Sequence, residues 1–432
     1  MPLRRSLSRF LTQYSCFLAG PWCLTMVLSR VALVSRVALV SRIALVSCVA
    51  PVSCVATVLA EPHVPANDAI VLERLSRGDA RDNEARSMAV ALARNPTDLD
   101  LALRLARVNI ARGQTLSDPR FLGRAEAVLA PWIALSNPPT PVRLLRGILR
   151  QSNHDFDGSL TDLGHVIDAG PANAPDVIQA RLTRAVVHQV RADYEAARQD
   201  CVTAAPLLPR SAALACVAGV ASLTGRARLA MSVLTQAGAD PAGDAASRVW
   251  ALTLLGEIAA RLDDVPAAER AFAQARLLAP DDTYLLSVHA DLLLDSGRAE
   301  EVIPLLAGRG RVDPLLLRLA EAQRRLGRPN AGDEARLADR LETSRRRGET
   351  VHQREEARFT LHILGDATEG LRLAEANWRV QREPADARIL LEAALAAHAP
   401  DRAAPVLSWL ERNGVEDVRL AGLASRLRSA RP

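Results

Sequence analysis

The sequence predicts an all-α protein assembled from stacked pairs of helices, and three observations predict it. Aromatic residues are only 3% of the 432 positions, and past residue 60 Ala, Leu and Arg dominate over the β-branched and aromatic types that strands favour. Apolar residues recur at i, i+3, i+4 and i+7 in segments bounded by Gly, Pro and Asp. Those segments come in pairs, and the pairs recur at intervals of roughly 34 residues. Hydrophobic residues make up 49% of the chain, enough to bury a core and to exclude wholesale disorder.

The clearest pair spans 249–282. Leu252, Leu255, Gly256 and Ala259 form one face of a first helix. Asp263-Asp264 opens a second, on which Ala268, Phe272 and Ala275 share a face. Pro280 ends it, having no N–H to continue the ladder. Gly256 and Ala268 are small where the two helices must approach. This window resembles the tetratricopeptide repeat (TPR) family, with Leu252 where Trp is usual and Ala259 where Tyr is usual. The resemblance implies a right-handed superhelical α-solenoid of helix-turn-helix repeats whose concave face holds a protein or peptide.

The pattern recurs along the chain. In 283–312, Leu286, Ala290 and Leu293 precede a turn at Gly297 and a second face at Val302 and Leu306. In 140–173, Leu144, Gly147 and Ile148 precede Phe156, Ser159, Leu163 and Val166; in 178–211, Leu182, Ala185 and Val186 precede Tyr194, Ala197, Cys201 and Ala204. The second helices of these two repeats are offset by a constant 38 residues. Windows 97–133, 212–245, 313–347, 351–384 and 385–414 follow with looser spacing, the first with an extra loop at Gly113–Pro119. The repeat array thus runs over 97–414, with no Gly/Ser linker dividing it. Solenoid ends need polar caps. Residues 415–432 supply one helix, with Leu420, Leu423 and Leu427 inward and Arg419, Arg426 and Arg428 facing away. Residues 61–96 supply the other cap, in which Val71, Leu72 and Leu75 precede a polar stretch at 76–87.

Residues 1–60 read as an address. A six-residue unit, Val-Ala-Leu-Val-Ser-Arg, occurs twice over 31–42 and again as Ile-Ala-Leu-Val-Ser-Cys at 43–48, a repeat that matches no helical period. An uncharged stretch, 43–60, then ends with Val58 and Ala60, the small residues that a signal peptidase requires, so cleavage after Ala60 and export to the periplasm are expected. Met26 is an alternative start to Met1. Leu45-Val46-Ser47-Cys48 also resembles a lipoprotein box, which would anchor the chain by a lipid on Cys48; an uncleaved anchor is the third option. The membrane enters only through this segment.

Charge argues against nucleic acid. The formal net of +5 comes from 54 basic residues, all Arg, against 49 acidic ones. Six of the arginines and none of the acids precede residue 61, so the body is close to neutral and carries no phosphate-binding footprint.

Few residues offer chemistry. Past residue 60 the cysteines are Cys201 and Cys216, on packed helices of consecutive repeats; they form a disulfide in an oxidising compartment or are two small buried hydrophobes. His352 and Glu356 lie one turn apart with Glu355, Arg358 and His362 nearby. That set is either a metal-dependent site or a solvated face with pairs such as Glu355–Arg358. No Gly-rich phosphate loop, His-Glu-x-x-His pair or Gly-x-Ser-x-Gly elbow is present, so no cofactor and no enzyme are expected. Trp378 reads as packing beneath the next hairpin. The groove is the better candidate. Counting from repeat starts at 249, 283 and 313, the ninth residues are Glu257, Asp291 and Glu321, and the second residues of the first two are Trp250 and Tyr284. Stacked, they form an acidic ladder beside two aromatics, suited to a basic or amphipathic segment of a partner. The alternative is a solvated face whose acids pair with Arg261 or Arg325.

Overall fold

A computed structural model describes residue 67 and residues 80–238, 244–346 and 353–430. The leader, with Met26, Cys48 and Ala60, and the positions Val71, Leu72, Leu75 and His352 lie outside the described residues. Twenty α-helices and no strand occur among the described residues. Helix α1 (Ala80–Arg94) is followed by nine hairpins. They are α2 (Leu99–Leu116) with α3 (Pro119–Ile133), α4 (Thr140–Ser152) with α5 (Phe156–Ala169), and α6 (Pro175–Val190) with α7 (Tyr194–Ala204). Next come α8 (Arg210–Ser222) with α9 (Ala227–Gly238), α10 (Ala245–Arg261) with α11 (Val265–Leu278), and α12 (Thr283–Asp295) with α13 (Ala299–Leu306). The last three are α14 (Asp313–Arg325) with α15 (Ala331–Arg346), α16 (Gln353–Phe359, continued by a π turn to Leu364) with α17 (Ala367–Val380), and α18 (Pro384–Ala396) with α19 (Ala404–Asn413). Helix α20 (Val418–Ser429) is the last helix among the described residues. Among the described residues no helix is long and apolar enough to cross a membrane.

Local chemistry sets these boundaries. Asp98, Asp118, Asp155, Asp244, Asp264, Asp282, Asp366 and Asp417 each accept a backbone N–H at a helix start, a cap that contributes about 1 kcal/mol apiece. Each hairpin turns through one residue in the left-handed region: Ser117, His154, Ala192, Gly225, Asp263, Gly297, Gly327, Gly365 and His398. Glycine occupies four of these nine turns, so in the others packing overrides the backbone preference.

Within 249–282 every predicted face residue is interior. Leu252, Ala259, Ala268, Phe272 and Ala275 are each at most 2% exposed, and a Cβ on Gly256 would lie 2.3 Å from the Phe272 ring. The 38-residue offset carries a charge device as well as an apolar one. Arg146 forks onto buried Asp162 at 2.7 and 2.5 Å; thirty-eight residues on, Arg184 forks onto buried Asp200 at 2.7 and 2.8 Å. Each pair ties the first helix of its hairpin to the second, in the bidentate geometry that makes such bonds strong.

Four sequence expectations change. The loop at Gly113–Pro119 is mostly the last turn of α2, which runs to Leu116, because Gly113 packs against Leu122 and keeps the helix in contact with α3. The polar stretch is helical from Ala80. Glu355 pairs with Arg354 rather than Arg358. Helix α20 is more than an end cap: Leu420 and Leu427 are buried as expected, but Arg419 turns inward to Asp295 at 3.4 Å.

The largest difference is long-range. One apolar cluster joins Leu182, Tyr194, Cys216 and Leu223 to Leu371, Trp378, Trp409 and Leu427. Polar bonds seal the same junction: Trp409 Nε1 donates to the Tyr194 hydroxyl at 3.0 Å, the Arg382 N–H to the Val190 carbonyl at 2.8 Å, and the Ala227 N–H to Glu416 at 2.5 Å. The last hairpins therefore pack back onto α6–α9, and the inner faces of the first helices look onto α16, α18 and α20 instead of an open groove.

Candidate functional site: a charged central cavity

The space left between those two sets of helices is a cavity of about 220 Å³. Helices α8, α10, α12 and α14 form one wall, through Ser222, Glu257, Tyr284, Asp291 and Arg318 among others; α16, α18 and α20 form the opposite wall, through Arg354, Arg358, Arg388 and Arg419. Between the charges the lining is apolar, with Leu254, Val288, Ile389 and Leu420.

The three carboxylates picked out by counting do fall on successive first helices, Glu257 and Asp291 lining the cavity and Glu321 buried, but they are bonded within the chain. Tyr284 donates its hydroxyl to Glu257. Arg318 meets Asp291 at 2.7 Å, from the same sequence distance of 27 residues. Arg358 forks onto Glu321 at 2.6 and 2.7 Å and also reaches Asp291 at 2.8 Å. Each carboxylate is thus bonded by the first helix of the following repeat, so the ladder is part of the stacking between repeats. The arginines expected as partners do other work: Arg261 donates to the Ser222 hydroxyl at 2.8 Å and Arg325 to the Leu294 carbonyl at 2.5 Å. Trp250 is half-buried against two apolar clusters and is not among the cavity-lining side chains; only Tyr284 of the two aromatics faces the cavity.

The electrostatics follow from burial and partner count. Arg318 and Arg358 hold the Asp291 carboxyl down to about 2 although burial opposes this. Arg358 and His362 hold Glu321 well below the carboxylate range, again against burial. His362 bridges Glu321 at 3.2 Å and Glu392 at 3.1 Å, and these two carboxylates raise it to about 9 against the burial that would lower it. Arg388 and His362 bring Glu392 down to about 2. Arg388 also forks onto Asp295 at 2.7 and 2.8 Å, tying α18 to α12 across 93 residues.

One corner is different. Arg354 is shared among Glu355 at 3.2 Å, Glu383 at 3.5 Å and Asp386 at 3.5 Å. Burial pushes Glu383 up to about 8, with Asp386 adding to the effect. Burial likewise pushes Glu257 up to about 7, since its only hydrogen bond comes from a neutral hydroxyl and the nearby arginines offset only part of the cost.

Of the three residues of the metal reading, His352 lies outside the described residues and the other two turn elsewhere. His362 turns to Glu321 and Glu392, while Glu356 turns to Arg345 at 3.2 Å. Among the described residues no group of three or more His, Cys, Asp or Glu is placed to hold a metal ion. Cys201 and Cys216 are joined by a disulfide between α7 and α8, with Cα atoms 5.5 Å apart. Trp378 packs edge-on against Trp409 of the next hairpin, ring centres 5.4 Å apart.

Counting residues could find the wall but not its partners. The four-residue spacing of Arg354, Arg358 and His362, in α16 and its π turn, is a local signal that the reading of His352 and Glu356 passed over. The opposition of these residues to the ladder is not a local signal.

No family model matches the chain, and no curated protein does. Among solved structures it is similar to the crystal structure of yeast Tom70, at 12% identity over 81% of this chain and 85% of that one, with a TM-score of 0.42. It is also similar to the TPR domain of P58(IPK), at 15% identity over 81% and 93%, with a TM-score of 0.20.

Proposed function

We propose that the chain is an exported, non-enzymatic scaffold that holds another protein through the inner faces of its first helices, by a basic or amphipathic helical segment of that partner. One observation carries this reading. The inner wall sets carboxylates at equivalent points of α10, α12 and α14, and the cations that meet Asp291 and Glu321 are brought by helices: Arg318 on α14, Arg358 on α16 and His362 in its π turn. A wall that receives cationic side chains from helices of its own chain has the chemistry to receive them from another. Because α16, α18 and α20 occupy it, a partner gains access by exchange with them.

Export is part of the same proposal. It rests on the leader ending at Val58 and Ala60 and is supported by the Cys201–Cys216 disulfide, a bond that persists in oxidising compartments. Two measurements test the reading. The mature N-terminus in a periplasmic fraction should be Glu61; an acylated Cys48 would place the chain on a membrane as a lipoprotein instead. Co-purification from periplasmic extract should recover a defined protein. The double variant Arg388→Ala with Arg419→Ala frees Asp295 from α18 and α20, and recovery with it should rise. Recovery of nothing above background by either form would sink the scaffold reading.

A further inference from the structure

The geometry points to a binding site for a small organic cation, an aliphatic ammonium or guanidinium, at the Glu257 corner of the central cavity, with the carboxylate of Glu257 as its counter-ion and the apolar wall as the seat of its carbon chain. This site stands independently of the partner-binding reading.

Three observations converge on it. First, Glu257 is half-buried and has no cation within ion-pair distance. Oε1 accepts from Tyr284, and no other hydrogen bond or ion pair reaches the side chain. Its neighbour one helical turn along, Arg261, is spaced for an i, i+4 pair. It turns away to Ser222 instead. Every other ladder carboxylate has an arginine; Glu257 has only a phenol. Second, the arginine that faces it from the opposite wall is drawn elsewhere. Around Glu257 stand Tyr284 and Asp291 on α12, Arg261 on its own helix, Arg354 and Glu355 on α16, and Glu383 and Asp386 on α18. Arg354 already serves Glu355, Glu383 and Asp386, so it leaves Glu257 without a close counter-ion. Third, there is room. A cavity of ~150 Å³ accommodates benzene, and this one measures about 220 Å³, with Leu254 and Val288 among the side chains that line it with Glu257. A charged head with a chain of about four carbons meets both the charge and the volume. The elevated proton affinity of Glu257, about 7, fits a carboxylate that lacks a cation, and it adds a signature: a cation entering near neutral pH expels a proton.

The cation can come as a free amine or as a Lys or Arg side chain of a partner, and the experiment separates these. The mature protein is titrated calorimetrically with butylammonium, butylguanidinium and acetyl-arginine amide, with butanol and butyrate as neutral and anionic controls. The expected result is saturable binding of the cations but not of the controls, with protons released in proportion near pH 7, read from the dependence of the heat on buffer. Glu257→Gln keeps the size and a hydrogen-bonding group but removes the charge, and should weaken binding by roughly tenfold or more. If that variant fails to fold, Val288→Phe fills the seat and should do the same. Binding of the butyl cations assigns a free amine; binding of the capped arginine alone assigns a partner's side chain. Absence of binding by all three cations, binding of butanol as strong as theirs, or full affinity in both variants would overturn the proposal.

Discussion

At the scale of single residues, two positions repay the closest reading. Gly256 faces Phe272 so closely that an added methyl meets ring atoms at 2.3–2.7 Å. Both helices are held by their own hairpin, so the ring has nowhere to retreat, and overpacking of this kind costs about 1–3 kcal/mol. Gly256→Ala should therefore lower the melting temperature in spite of alanine's better helix propensity; an unchanged or raised value would mean the hairpin is looser than it looks. Glu257 is the second. Its proton affinity is raised by burial to about 7, Glu383's to about 8, and His362's to about 9 by its two carboxylates. Between pH 6.5 and 9 all three act in one direction. In that window the folded chain binds more protons than the unfolded one, whose carboxyls are already ionised and whose histidines are losing their charge. Stability must then fall as pH rises. His289, lowered to about 4 by burial, is neutral in both states across most of this range and opposes little. Urea midpoints should decline from pH 6.5 to 9, and Glu257→Gln should flatten the lower part of the slope. A midpoint that climbs with pH would contradict the assignment.

At the scale of elements, the repeated unit is a helix pair closed by a left-handed turn and held by small residues between its helices. Neighbouring pairs are then joined by specific bonds. Some are ionic, as in Arg318 with Asp291; one is covalent, the disulfide linking α7 to α8 across 15 residues. Closing a loop of that length restricts the unfolded chain by about 3 kcal/mol in the entropic account. Mild reduction, or Cys201→Ala with Cys216→Ala, should lower stability by about 2–4 kcal/mol in denaturant titrations. Loss of well under 1 kcal/mol would show that this pair of helices is held by packing alone. The hairpins themselves were legible, because an apolar stripe, an aspartate cap and a proline or glycine stop are properties of contiguous sequence. The last turn of α2 was not, because glycine at 113 reads as a break unless Leu122 is known to lie against it.

At the scale of the whole array, the decisive feature is return contact between distant repeats. A simple solenoid is stabilised by nearest neighbours and can unfold piecemeal. Here Tyr194 and Trp409, 215 residues apart, share a buried hydrogen bond inside a common apolar cluster. Tyr194→Phe would leave the indole N–H without its partner, a cost of about 1–3 kcal/mol. Its effect should spread: amide exchange should accelerate in both α7 and α19. Acceleration confined to α7 would mean that the return contact contributes nothing to cooperativity. The same closure changes what the inner wall is for. Glu257→Arg with Asp291→Arg, which on an open groove would disturb only a partner, here places charge beside Arg354, Arg358 and Arg318 and should unfold the centre of the array.

The sequence by itself determined the class of the fold, the pairing of helices, the opening at Asp264 and the turn at Gly297, and the fall of Glu257, Asp291 and Glu321 on successive first helices, since periodicity and turn chemistry are local and repeats add a similar offset each time. Tertiary structure alone decided what those carboxylates meet. Whether the far hairpins return to α6–α9 depends on small rotations accumulated over many repeats and on a junction of Trp, Tyr and Leu side chains contributed by the third and fourth hairpins and by the last two. No window of contiguous residues carries that sum, so the groove the sequence implies becomes, in the folded chain, a cavity whose ladder carboxylates Asp291 and Glu321 take counter-ions from the chain itself while Glu257 has none within ion-pair distance.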